Sequence, residues 1–180
     1  MSCYRPICDT WILARSKVNY PGAFPNGFLE RARALLGVGL EGAVLHVCSG
    51  RVREYPNTRC LGPHDRTLDL DPACAPDFLQ DARDPLPGGP RRDGLWDAAL
   101  VDRPYTEYDA TKYVPGEKVF PSINALLRNA LQVVPIGGKI GVLDYVWPQP
   151  PTWAREVAVV AVGTGRNNRA RWFTVFERLS

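Results

Sequence analysis

The sequence predicts an α/β protein built as a three-layer, doubly wound, mostly parallel sheet that closes in a C-terminal antiparallel hairpin. Three observations predict it. Short apolar runs alternate with helical stripes or long loops, the pattern of strands whose two faces are both covered. The runs in the first two thirds of the chain end in polar or conformationally permissive residues, as strands do where they open onto a ligand. Two longer runs near the C-terminus flank Gly163-Thr164-Gly165-Arg166-Asn167-Asn168, a turn-forming segment that suits a hairpin.

Length and composition agree with one domain over residues 1–180. Hydrophobic residues make up 45% and charged residues 23% of 180, and the formal net charge is +3, an ordinary globular profile rather than that of a chain held to nucleic acid by charge alone. No apolar run reaches the ~18 residues of a membrane span. Met1 to Trp11 lacks a charged-then-apolar leader pattern, so the expected compartment is cytoplasmic. Five cysteines, Cys3, Cys8, Cys48, Cys60 and Cys74, are an odd set. Their spacing with His64 fits no standard zinc pattern, so free thiols and no metal are expected.

Residues 1–25 read as irregular, broken by Pro6, Pro21, Gly22 and Pro25. A helix is expected next, capped by Asn26, with Phe28, Leu29, Ala32, Leu35 and Leu36 on one face and Gly37 and Gly39 at its end. Ala43–Val47 reads as a buried strand opening into Cys48-Ser49-Gly50, and Thr67–Asp71 as a second, stopped by Pro72. Residues 85–94 read as loop. Trp96–Asp102 is a third strand, halted at Pro104. The clearest helix begins at Ser122 and carries the stripe Ile123, Leu126, Leu127, Ala130, Leu131 and Val134. Strands at Lys139–Tyr145, Glu156–Val162 and Arg171–Glu177 complete the chain.

In open sheets of this kind the ligand lies at the carboxyl ends of the strands, which directs attention to the loops after Val47, Asp71 and Asp102. Gly50 lets backbone approach a ligand closely. Asp69 and Asp71, about twenty residues on, suit the hydroxyls of a ribose. Asp81 suits an adenine amino group. Asp102-Arg103-Pro104-Tyr105 sets a carboxylate, which accepts from an amine, beside an aromatic ring, which stacks on a planar base. Each motif taken singly is also an ordinary strand-end turn.

In order, the blocks Leu45–Gly50, Leu68–Pro72, Gln80–Asp84 and Trp96–Tyr105 resemble the motif ladder of class I S-adenosylmethionine-dependent methyltransferases. The last block is similar to the Asp-Pro-Pro-Tyr signature of the amino-group methyltransferases of DNA adenine and cytosine. Tyr20–Pro25 resembles their Phe-Pro element, and Ile123–Gly138 the segment before their fifth strand. The resemblance covers roughly residues 20 to 146. It implies a Rossmann-like methyltransferase fold with S-adenosylmethionine as cofactor. Phe24, His46, Cys48 and Gly50 would line the methionine end, Asp69 would take the ribose, and Asp81 with Ala82 the adenine. Asp102, Pro104 and Tyr105 would hold the acceptor amine. The chain departs from the pattern at His46, Val52 and Arg103, where the family has an acid, a glycine and a proline. The implied activity is methyl transfer to a nucleobase amine in a nucleic acid or nucleotide, DNA adenine or cytosine first. With no segment for target recognition, a partner protein is a further expectation. The competing readings are a catalytically silent binding module, and a methyltransferase of RNA, protein or a small molecule.

Overall fold

The computed structural model describes residues 5–16, 23–54, 60–113, 120–164 and 170–180. The described elements are β1 (Ile7–Leu13), α1 (Phe28–Leu36), β2 (Val44–Val47), β3 (Arg66–Asp69), β4 (Phe78–Leu79), β5 (Ala98–Val101), α2 (Glu107–Tyr113), α3 (Ile123–Gln132), β6 (Lys139–Asp144), β7 (Ala154–Thr164) and β8 (Arg171–Arg178). The strands form one sheet of eight in the order β1-β7-β8-β6-β5-β2-β3-β4. Strands β4, β3, β2, β5 and β6 run parallel, and β8 is antiparallel to both of its neighbours, β6 and β7. The expected mostly parallel sheet with a closing β7–β8 hairpin is therefore present. The middle of the expected turn, residues 165–169, lies outside the described residues, as do Tyr20, Pro21 and Gly22.

The strand side chains divide between two cores, which makes three layers. On one face Leu45, Val47, Ala99, Val101, Ile140, Val142 and Phe176 pack with Ile123, Leu126, Leu127, Ala130 and Leu131 of α3. On the other, Val44, Ala98, Leu100, Leu143, Phe173 and Val175 pack with Phe28, Leu29, Ala32 and Leu36 of α1. This is the period-2 alternation of a sheet covered on both sides. Gly141 in β6 serves that packing: a Cβ there would come within 2.6 Å of the Phe173 ring.

Both long helices follow from their stripes. α1 starts one residue later than an Asn26 cap would set it, with left-handed Gly27 at its N-cap. Left-handed Gly37 closes it, its N–H donating to the Ala34 carbonyl at 3.1 Å.

One expectation is corrected. Residues 1–25 are not irregular throughout, because Ile7–Leu13 forms β1 and pairs in parallel with β7 from Ile7↔Ala158 to Leu13↔Thr164. Its four leading residues are exposed and only Trp11 and Leu13 turn inward, so it lacks the apolar signal of a central strand. Among the described residues, the loop after β2 leads into a 3-10 turn at Val52–Glu54.

Candidate functional site

Strands β2, β3 and β5 end at the same edge of the sheet, and their loops interlock there. The Ser49 N–H donates to the Leu68 carbonyl at 3.1 Å, the Gln80 N–H to Asp69 at 3.0 Å, and the Asp102 N–H to Val47 at 3.2 Å. The turn after β2 needs left-handed backbone at two positions, Cys48 (φ 56°) and Gly50 (φ 51°). Glycine adopts that conformation freely, but at Cys48 it carries a steric cost held by the surrounding structure.

Asp69 is the pin of this corner. Its Oδ2 accepts from the Gly50 N–H at 2.8 Å and its Oδ1 from the Asp71 N–H at 2.9 Å. Burial pushes the carboxyl up despite these two bonds. Asp71 is used locally, capping the turn Pro72–Cys74 by accepting from the Ala73 N–H.

Asp81 begins the next loop and accepts from Arg83 through Nε at 2.9 Å and the terminal nitrogen at 2.6 Å. Asn129 of α3 clips this loop from below, its amide donating to the carbonyls of Ala82, Arg83 and Asp84 at 3.1–3.3 Å. Ala82 is buried. Cys48 sits among the carboxylates of Asp69, Asp102 and Asp81: burial first, then those three charges, push its thiol well above the ordinary range, so it stays protonated.

The segment after β5 brings Asp102 and Tyr105 against Arg171. The Tyr105 hydroxyl donates to Asp102 Oδ1 at 2.6 Å and accepts from Arg171 of β8 at 3.1 Å. The Tyr105 ring lies 4.5 Å from that of Tyr145, which follows β6. Burial pushes Asp102 up to about 7, with Asp144 adding to the rise and Arg171 and Tyr105 opposing it. Asp102 is therefore more basic than an ordinary aspartate.

Arg103 turns away from this pocket. Its Nε donates to Asp144 Oδ2 at 2.7 Å, another nitrogen donates to the Pro121 carbonyl at 2.9 Å, and the guanidinium lies over the Phe120 ring. It is thus an internal strut between β5, β6 and the segment before α3. Arg53, in the turn after β2, is paired with Asp77.

The structure thus gathers Cys48, Gly50, Asp69, Asp81, Ala82, Asp102, Pro104 and Tyr105 at the strand ends. It places His46 elsewhere. His46 shares a face of β2 with Val44, and its Nε2 lies 3.3 Å from Asp65, which also accepts from Arg33 at 2.8 Å and from the Val44 and Gly62 N–H groups. His46 belongs to a buried polar cluster beneath α1, as the alternation Val44/His46 against Leu45/Val47 would have indicated. Phe24 packs in the same α1-side core, stacked on Phe28 at 5.0 Å.

Sequence reasoning missed Arg171, Asp144 and Tyr145, which come from distant strands with no local motif. It also missed α2, although Thr106-Glu107-Tyr108-Asp109 carries a capping-box pattern: the Thr106 hydroxyl accepts from the Asp109 N–H at 3.0 Å and donates to the Asp109 carboxylate at 2.8 Å.

No protein-family model matches the sequence, and no curated protein matches it either. Solved structures do share its shape. TrmN from Thermus thermophilus aligns with a TM-score of 0.62 at 20% identity, over 88% of this chain and 50% of TrmN. The rRNA methyltransferase aviRa from Streptomyces viridochromogenes aligns with a TM-score of 0.53 at 17% identity, over 89% of this chain and 88% of its own. A variant of MtNAS in complex with S-adenosylmethionine aligns with a TM-score of 0.51 at 13% identity, over 84% of this chain and 60% of its own. The chain spans half the length of TrmN. These likenesses establish the fold, which is the Rossmann-like fold of class I S-adenosylmethionine-dependent methyltransferases.

Proposed function

We propose that this chain transfers a methyl group from S-adenosylmethionine to an exocyclic amine of a nucleobase, with a base in single-stranded nucleic acid as the acceptor. The observation that carries the reading is the Asp102–Tyr105 pair at the end of β5, set beside the Asp69–Gly50 corner at the ends of β2 and β3.

The residues present fit the cofactor. Asp69, held by the backbone N–H groups of Gly50 and Asp71, suits two adjacent ribose hydroxyls. Asp81 with Ala82 suits the adenine. Gly50 and left-handed Cys48 keep the methionine side of the corner open to close approach. When bound, the cofactor supplies an electrophilic methyl group on a sulfonium. The acidic surroundings of Cys48 suit that positive charge.

Asp102 supplies the other half. An aryl amine is a weak nucleophile because its lone pair is delocalised into the ring. An anionic oxygen that accepts its N–H favours a tetrahedral nitrogen with the lone pair aimed at the methyl. As the new N–C bond forms and the S–C bond breaks, the amine proton becomes acidic. Asp102, raised toward neutrality, is matched to take it. Tyr105 holds the Asp102 oxygen in place, and its ring, beside that of Tyr145, would stack on the base. In duplex a base must be flipped out at a cost of a few kcal/mol, which favours an unpaired acceptor. The fold neighbour aviRa, an rRNA methyltransferase, is consistent with an RNA acceptor, and DNA adenine or cytosine stays within the same chemistry.

Tritiated methyl transfer to RNA, single-stranded DNA and free nucleotides tests the reading. Transfer to a nucleic acid that Asp102→Ala lowers at least tenfold is expected. Full-rate transfer in that variant would remove Asp102 from the reaction. Cofactor binding without transfer to any of these acceptors would point to a silent binding module or another substrate class.

A further inference from the structure

Arg171 is 8% exposed and lies at the start of β8. Nothing in the acceptor motif asks for it, since it stands 66 residues from Tyr105. Yet its guanidinium donates to the Tyr105 hydroxyl at 3.1 Å and lies 5.8 Å from the centre of the same ring. The hydroxyl in turn donates to Asp102 at 2.6 Å. One phenol oxygen is thereby fixed between a cation and an anion, a geometry in which both of its bonds are charge-assisted.

We infer that Arg171 is a positioning residue of the acceptor pocket, which orients the Tyr105 hydroxyl and, through it, keeps Asp102 aligned and favours its ionised form. The inference rests on the reading of Asp102 and Tyr105 as that pocket. It goes beyond that reading because it assigns the pocket a wall from the C-terminal hairpin.

The charge balance supports it. Among the described residues, the groups that face Asp102 are Arg171 from β8, Tyr105 from its own loop, Asp144 from β6 and Cys48 from the loop after β2. Arg103, the other nearby cation, is committed to Asp144. Arg171 is thus the cation that offsets the burial of Asp102. Without it, a buried carboxylate beside Asp144 would hold its proton, and a protonated Asp102 cannot accept the amine hydrogen in the same way. Tyr105 would also lose the partner that fixes the direction of its hydroxyl.

The test is a pH titration of the Asp102 carboxyl by carbon NMR of aspartate-labelled protein, with the resonance assigned through Asp102→Asn. The wild type is compared with Arg171→Met, Arg171→Lys and Tyr105→Phe. Losing a nearby opposite charge moves a carboxyl by about 1–3 pH units. Arg171→Met should raise the midpoint by that amount, and Arg171→Lys should recover part of the change. Tyr105→Phe should raise it by less, since the cation remains. Where methyl transfer is measurable, Arg171→Met should lower kcat while leaving the KM for S-adenosylmethionine within about twofold. An unchanged Asp102 midpoint in folded Arg171→Met would overturn the inference. If Arg171→Met does not fold, an Arg171→Lys midpoint equal to wild type, together with an unchanged Tyr105→Phe midpoint, would do the same. The titration needs no acceptor, so a failure to find methyl transfer bears on the proposed reaction alone.

Discussion

Arg103 and Asp144 meet at 2.7 Å in the interior, with side-chain exposures of 4% and 0%. Asp144 Oδ1 also accepts from the Val146 N–H at 2.9 Å, so both of its oxygens are used. The position that departs most plainly from the amine-methyltransferase signature thus carries a buried ion pair. It ties the loop after β5 to the end of β6. Its consequence is for stability and for the rigidity of the loop after β5, not for contact with an anionic ligand.

Removing one partner of such a pair leaves an uncompensated buried charge. Arg103→Ala should therefore cost about 3–5 kcal/mol, read from chemical denaturation. Arg103→Met combined with Asp144→Asn should recover a large part of that loss, because no buried charge remains. A loss below ~1 kcal/mol in Arg103→Ala would show that the pair is open to water.

The stripe on α3 is a packing element. Leu127 is 0% exposed and sits in the core between α3 and the sheet. Leu127→Ala should cost about 2–5 kcal/mol, with affinity for S-adenosylmethionine unchanged in the folded protein. Wild-type melting with lost cofactor affinity would contradict this.

The raised carboxyl of Asp102 has a definite sign in pH titrations. Its folded value, about 7, lies above the ordinary aspartate value of 3.8. The folded chain then holds this proton more tightly than the unfolded chain. Its contribution to stability is full below the ordinary value and is lost as pH rises to about 7. Asp102→Asn should flatten that part of the stability curve in denaturant titrations at stepped pH. Methyl transfer should move the opposite way, with kcat/KM rising as Asp102 ionises with a midpoint near 7. A rate independent of pH from ~5 to ~8 would show that the ionised form is not required.

The sequence exposed the fold wherever local pattern and long-range packing agreed. β2, β5 and β6 are buried on both faces and read as continuous apolar runs, and α1 and α3 carry clear stripes. β1 was hidden because an edge strand needs no such run, and its partner lies some 150 residues away in β7. β4 has two residues, too few for any period. Within the site, Asp69, Asp81, Asp102 and Tyr105 were legible because each closes a strand or its loop. Arg171 and Asp144 were not, since their roles arise only when β6 and β8 are brought beside β5. His46 was misplaced by motif position, although the alternation along β2 already assigns it to the α1 side.

The most direct measurement is titration calorimetry of S-adenosylmethionine into the wild type and Asp69→Ala. Asp69 uses one acceptor position of each oxygen on Gly50 and Asp71. Under the proposed function, its replacement removes both the ribose contact and the pin of the corner. The account predicts stoichiometric binding to the wild type and a loss of roughly 1–3 kcal/mol in the variant, about 5- to 150-fold in Kd, with the fold intact by circular dichroism. No binding to the wild type, or equal affinity in a folded Asp69→Ala, would contradict it.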